Sequence, residues 1–315
     1  RTAPEAWKYG DPEAYDLRRA LATKLNLDMT EIVCGAGIDG LLNSLVRLYV
    51  EPGVNVVTSD GAYPTFNYHV AGYGGTLIKV PFKDDREDPE SLLKAARDSD
   101  ARLIYLSNPD NPMGTWHSAS VINDMVTNLP KGCLLVLDEA YVELAPDGTA
   151  PPIDTSNPQV IRLRTLSKAY GLAGMRVGYA FGAASVIRNF EKVRNHFGMS
   201  RVSQAAALAA LDDEDWLEGV RAKVARSREL LSEIARENGL TPLPSATNFV
   251  TIDCGRDAAF AKSVLDNLIA LDIFARMPFA SPGNRAIRLS CGTDDDLDKV
   301  RTALPKALKA ARASA

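Results

Sequence analysis

Lys168 lies between two apolar, strand-like runs, one ending at Leu163 and the other covering residues 177–181. The turn between them is rich in glycine and small hydroxyl residues, so its amine cannot easily reach bulk water. Desolvation disfavours the ammonium form and lowers an amine's pKa. That makes it a nucleophile toward a carbonyl, the requirement for a Schiff-base lysine. Thr165 and Ser167 place two hydroxyls just before it, and Arg176 follows eight residues later with a fixed cation. Together these three supply the donors that a phosphate needs.

A second phosphate cradle stands at Gly35-Ala36-Gly37-Ile38-Asp39-Gly40, after a strand pattern over 31–34 and at the start of a helix pattern running through Val50. Residues 54–59 read as the next strand and end at Asp60. This is a complete Gly-x-Gly-x-x-Gly in the context of a dinucleotide-binding βαβ unit. The same physics serves any phosphate resting on unpaired N–H groups at a helix N-terminus. The motif alone therefore leaves a nicotinamide oxidoreductase and another phosphorylated cofactor both open. The apolar run at 133–137 ends in Asp138-Glu139 and superficially resembles a Walker B strand, but no Gly-Lys dipeptide occurs and the P-loop lysine is absent. The octet Ser107-Asn108-Pro109-Asp110-Asn111-Pro112-Met113-Gly114 reads as a rigid loop past a strand end, where an α/β sheet presents ligand-binding side chains.

The run Thr165-Leu-Ser-Lys-Ala-Tyr-Gly-Leu-Ala-Gly-Met-Arg-Val-Gly178 closely resembles the lysine segment of class I/II aminotransferases, the fold-type I pyridoxal-phosphate (PLP) enzymes. The likeness is nearest to the histidinol-phosphate aminotransferase branch and extends from Tyr9 to Thr293. The resemblance implies a homodimer with PLP held by Lys168. Asp138 would face the pyridine nitrogen, and Asn111 and Tyr141 would meet the phenolic oxygen O3′. Gly35, Ala36, Gly37, Thr165, Ser167 and Arg176 would hold the phosphate. Phe66, in Tyr63-Pro64-Thr65-Phe66, would stack on the pyridine; the alternative is a phenylalanine in the core. Tyr9 would reach the cofactor phosphate of the neighbouring subunit, or else pack as a staple on the following helix. Arg288 would grip the substrate α-carboxylate, and Asn111 would face the substrate as well. Arg276 would meet a phosphate at the substrate's far end, or else be a surface arginine on an edge strand. PLP uses the Asn111, Asp138 and Lys168 motifs, which a nicotinamide reading leaves unexplained. The implied reaction moves an amino group between a donor, histidinol phosphate or an aromatic amino acid, and a 2-oxo acid. A PLP lyase or decarboxylase of the same fold is the alternative.

These residues need a scaffold, and the chain alternates strand and helix patterns from residue 76 to 137, which argues an α/β domain on a mainly parallel sheet. The resemblance makes that sheet seven-stranded. Residues 1–220 are expected to form the large PLP-binding domain and 221–315 a smaller C-terminal α/β domain. An Asp11-Pro12-Glu13 helix start leads into a helix over 14–25, residues 183–197 and 202–237 read as helical, and 273–275 as a strand. At 193–200 the chain departs from the Pro-Pro-aromatic-Asn run of its relatives. The chain opens at Arg1 without an initiator methionine, so an upstream arm is expected to be missing.

The 315 residues carry a formal net charge of −4, which gives no electrostatic footprint for nucleic acid or an anionic membrane. No apolar run approaches the roughly 20 residues of a membrane helix, so a cytoplasmic enzyme is expected. Cys34, Cys133, Cys254 and Cys291 are far apart beside apolar runs and read as buried thiols. Three histidines and no Cys-x-x-Cys give no support for a metal site.

Overall fold

The protein, described over residues 2–313 by a computed structural model, alternates helices and strands in an order that builds two sheets. The elements are α1 (Tyr15–Leu25), β1 (Ile32–Gly35), α2 (Gly37–Tyr49), β2 (Asn55–Ser59), α3 (Thr65–Gly72), β3 (Thr76–Val80), α4 (Pro89–Asp98), β4 (Leu103–Ser107), α5 (Ala119–Thr127) and β5 (Leu134–Asp138). There follow β6 (Val160–Thr165), β7 (Gly178–Gly182), α6 (Ala184–Ile187), α7 (Arg201–Leu211), α8 (Glu214–Glu237), β8 (Thr241–Pro242), β9 (Phe249–Asp253), α9 (Ala258–Ile269), β10 (Ala286–Ser290) and α10 (Asp294–Ala313). No helix among the described residues is long and apolar enough to cross a membrane.

The large sheet has the order β1-β7-β6-β5-β4-β2-β3, and β7 alone runs antiparallel to the other six strands. Every residue of β4 and β5 is buried, which is the demand a parallel sheet covered by helices on both faces makes of its central strands. On α2, Ile38, Leu41, Leu42, Leu45 and Val46 repeat at helical spacing and pack into one core with Val136, Ile161 and Leu163 of the sheet. The other face is filled by α4 and α5 through Leu92, Leu93, Ile122 and Met125.

This order corrects the dinucleotide reading of the glycine motif. In a dinucleotide-binding βαβ unit the strands flanking the first helix lie side by side, but here β1 pairs with β7 at one edge while β2 lies between β4 and β3. The glycines open a helix N-terminus without building that unit.

The second sheet, β10-β9-β8, is antiparallel. Its apolar face meets α8, α9 and α10 in a separate core that includes Leu231, Ile252, Val264, Ile287 and Leu304.

Several expected boundaries move. Asp11 does cap α1, but from outside it: its carboxylate accepts Glu13 N–H at 3.0 Å and Tyr15 N–H at 2.7 Å, and Ala14 turns left-handed at φ 45° before the helix begins. The expected helix over 183–197 reduces to α6 and a 3-10 segment, Arg188–Lys192. The helix over 202–237 is broken at Asp212 and Asp213, and Asp213 restarts it by accepting Trp216 N–H at 3.0 Å. Two adjacent acids favour such a cap over continued helix, because their carboxylates compete for backbone N–H groups. Residues 273–275 form no strand; only Arg276 makes a bridge, to Arg288.

Candidate active site

The carboxyl ends of β4, β5 and β6 open on one cleft, lined in part by Tyr105, Ser107, Asn111, Asp138, Tyr141, Thr165, Ser167, Lys168 and Arg176. Residues from five separate stretches of chain converge there, as the strand-end rule for open α/β sheets demands.

Asp138 ends β5 and is buried, 5% exposed. Its Oδ2 accepts the Tyr105 hydroxyl at 2.7 Å and its Oδ1 accepts Ala140 N–H at 2.9 Å. Burial pushes its pKa up to about 6, against the pull of those two donors and of Lys168. The neighbouring Glu139 points away from the cleft and is buried between Arg162 and Arg164, at 2.6 and 2.8 Å. Burial opposes its charge, but Arg164 and Arg162 outweigh it and hold the carboxyl below its ordinary range. Glu139 is therefore structural.

Lys168 sits in the connection between β6 and β7, its Nζ 5.1 Å from the centre of the Tyr141 ring. Its pKa is lowered, first by burial and then by Arg288, Arg176 and Arg276, while Asp138 opposes the shift. A lysine so placed keeps a larger neutral fraction than one in water.

Below it, Thr165 Oγ1 donates to Val177 O at 3.0 Å and accepts Ser167 N–H at 3.1 Å. Arg176 takes a left-handed backbone, φ 53°, and its Nη1 reaches Ala173 O at 3.1 Å and lies 3.5 Å from Ser167 Oγ. Gly37, at φ 74°, lies against that guanidinium: a Cβ there would collide with it. Gly178 is equally constrained, since a Cβ would come within 2.7 Å of Gly37's carbonyl carbon. The N-terminus of α2 thus approaches the Arg176 side chain closely, and Ile38 and Asp39 line the cleft there. Gly35 and Ala36 lie behind this rim, at the end of β1 and the N-cap of α2.

Arg288 enters from β10 on the face opposite Ile287 and Leu289, 4.5 Å above the Phe249 ring, and Nη1 donates to Asn111 Oδ1. Phe249 meets Tyr141 edge to face at 5.6 Å. Arg288, the loop asparagine and the Tyr141 phenol are thereby packed into one wall.

Three residues named from the sequence do not line this cleft. Phe66 is fully buried, stacked on Tyr105 at 4.6 Å and 14°, and belongs to the α2 core; the aromatic of that segment that lines the cleft is Tyr63. The reason is local: α3 starts at Thr65, so its first turn directs Phe66 inward and leaves Tyr63 before the helix, at the rim. Tyr9 is 81% exposed and packs on Phe197 at 5.0 Å, away from the cleft of its own chain and not on α1. Arg276 is exposed beside Phe274 at 5.5 Å.

Tyr63, Tyr105 and Asp39 were not expected from sequence. Tyr105 reads as one more apolar residue of a buried strand, and its partner Asp138 is 33 residues away. Tyr105→Phe should raise the Asp138 pKa further above about 6, by about one unit, because the phenol is a charge-assisted donor worth roughly 1.5–3 kcal/mol. With a folded-state pKa above the unfolded value, the associated stability is present below the unfolded pKa and fades as pH rises through the folded one. Carboxyl NMR of the cofactor-free protein measures the shift directly. An unchanged titration would remove Tyr105 from this role.

The geometry has counterparts in known proteins. The family model for aminotransferase class I and II matches residues 2–304. The crystal structure of histidinol-phosphate aminotransferase from Sinorhizobium meliloti in complex with pyridoxal-5′-phosphate superposes with a TM-score of 0.97 at 52% identity, covering 100% of this chain and 86% of that one. The histidinol-phosphate aminotransferase of Anaeromyxobacter sp. Fw109-5 is 36% identical over 309 residues, 96% of this chain and 83% of its own length. That of Geobacillus sp. WCH70 is 33% identical over 304 residues, 96% and 82%. With its lysine, acid, asparagine and arginine gathered at the strand ends of this sheet, the chain belongs to the class I and II aminotransferases.

Proposed function

We propose that the enzyme moves the amino group of a phosphorylated amino donor of the histidinol-phosphate type to a 2-oxo acid, as a cytoplasmic homodimer whose large and small domains divide near residue 220. Its cofactor is pyridoxal 5′-phosphate. The residues present fit that group: the glycine-lined N-terminus of α2 faces Arg176, Ser167 and Thr165 on the phosphate side, and the buried Asp138 lies deeper in the same cleft. When bound, PLP supplies an electron sink for the bonds around the donor's Cα.

In this reading Lys168 would hold the cofactor and, once free, would move a proton between the donor's Cα and C4′ of the cofactor. Asp138, ionised, would keep the ring nitrogen protonated. Asn111 and Tyr141 would donate to O3′. Arg288 receives the α-carboxylate where one is present, through two parallel hydrogen bonds. Tyr9, exposed at the surface, reaches the phosphate side of the partner's cleft.

One observation carries the phosphorylated donor. Arg276 and Arg288 form an antiparallel bridge, Arg276 N–H to Arg288 O at 3.0 Å and Arg288 N–H to Arg276 O at 2.6 Å. Directly opposed residues send their side chains to the same face, and like charges so placed repel unless anions lie between them. A donor with an anionic group at its far end relieves that repulsion. Arg276→Ala should then cost about 2–5 kcal/mol in kcat/KM for histidinol phosphate and much less for phenylalanine. Equal, small losses with both donors, or no turnover of histidinol phosphate by the wild type, would point to a broad or aromatic amino-acid aminotransferase.

A further inference from the structure

Beneath the loop that presents Asn111 lie two acids that the reaction does not use. Glu87 and Asp110 are each 2% exposed. Glu87 Oε1 accepts Ser107 N–H at 2.9 Å and Oε2 accepts the Ser59 hydroxyl at 2.6 Å, which joins the ends of β4 and β2. Asp110 Oδ2 accepts Met113 N–H at 2.8 Å and closes the loop on itself. Asp110 Oδ1 is buried and makes no hydrogen bond of its own, and the polar neighbours of the Asp110 carboxyl are Met113 N–H, Asn111 N–H and the Glu87 carboxyl. Two ionised carboxylates in such contact, out of water, repel strongly, and an orphan buried acceptor costs about 1–3 kcal/mol. A single proton between them removes both penalties.

We propose that Glu87 and Asp110 share one proton, and that this carboxyl–carboxylate bridge is the positioning device for the loop that presents Asn111. The bridge ties Asp110 to Glu87, and Glu87 to the strand ends. The loop's outer half is held separately, by Thr115 Oγ1 on Asp85 O at 2.8 Å and by Thr251 Oγ1 on Pro112 O at 2.6 Å. Asn111 stands between these anchors and accepts from Arg288. The charged and titratable groups facing the pair are Asp138 and Tyr105 from the sheet, Arg288 from β10, and His117, whose Nε2 meets Glu87 O at 2.7 Å. Burial raises both acids, Glu87 well above its ordinary range and Asp110 to about 7. The Asn111 role rests on the cofactor reading above, but the shared proton does not.

Asp110→Asn is the direct test. Its amide can donate to Glu87 at every pH while its oxygen still accepts Met113 N–H. The wild-type protein should show protonated-carboxyl C=O absorption in its infrared spectrum at about neutral pH, to which the buried Glu143 also contributes, with one component lost in Asp110→Asn, and should lose thermal stability between about pH 6 and about pH 9. The sign follows from raised folded-state pKa values, whose stabilisation is lost as pH rises through them. Asp110→Asn should lose about 4 °C less than wild type over that range, and Glu87→Gln serves as the second variant if the first does not fold. For positioning, the alkaline decline of kcat/KM should begin at higher pH in either amide variant than in wild type. Carboxyl absorption of undiminished intensity, or wild-type pH dependence of stability, in both variants overturns the shared proton. An unmoved kcat/KM profile with that component lost overturns the positioning role. The spectra and melts use protein with or without cofactor, so failure of the PLP reading would show separately, as absence of turnover.

Discussion

Lys168→Ala is expected to reduce turnover by at least about 10⁴-fold, the upper range for loss of a general acid–base group, because in the proposed mechanism the same side chain also anchors the cofactor. The expectation rests on position. Lys168 is the lysine that lines the cleft holding Asp138, Tyr141 and Asn111, and its amine is desolvated there. Borohydride reduction of the wild-type holoenzyme followed by peptide mapping should find the pyridoxyl group on the peptide that contains Lys168. A label on any other lysine would sink the assignment, whatever the activity of the variant.

Asp138→Ala should lose kcat while retaining cofactor, since the proposed phosphate contacts do not involve it. The expected loss is about 10²–10³-fold, the scale of removing a preorganised charge from a buried reacting centre. The variant also leaves the Tyr105 hydroxyl and Ala140 N–H without their acceptor, at a stability cost of about 1–3 kcal/mol for each orphan. Asp138→Asn separates the two effects, because its amide oxygen still accepts one of these bonds without carrying a charge. If kcat of both variants stays within a few-fold of wild type and only cofactor affinity falls, Asp138 is a structural acid.

What could be read from the chain alone was the chemistry carried by contiguous motifs. Lys168, Asp138 and Asn111 stand at strand ends, where local pattern and sheet topology agree. The mainly parallel sheet followed from the alternation of elements, and the resemblance supplied its seven strands. Between its two readings, a stacking ring and a core residue, Phe66 proved to be the second, because α3 starts at Thr65 and turns it inward, a start no local signal had marked. Tyr105, Glu87 and Asp110 were illegible for another reason. Their meaning lies in partners 20 or more residues away, Glu87 on Ser107 and Tyr105 on Asp138, and no local period encodes such pairs. The glycine motif was misleading as topology yet sound as physics, since the helix N-terminus it opens does face a cleft.

The hydrogen bond from Arg288 to Asn111 joins two bodies of structure. Arg288 belongs to the three-stranded sheet and Asn111 to the loop above the seven-stranded one, and they meet across the cleft. In the proposed reading the bond is a latch that the carboxylate of a 2-oxo acid or an amino acid would have to undo, because Arg288 cannot present the same N–H to both. Opening it costs one charge-assisted bond and returns one of better geometry, so little net affinity is gained at that point. What would change is the Asn111 side chain, which such a carboxylate releases from the arginine. Binding at the small sheet would thus be coupled to the freedom of a side chain on the loop above the large one.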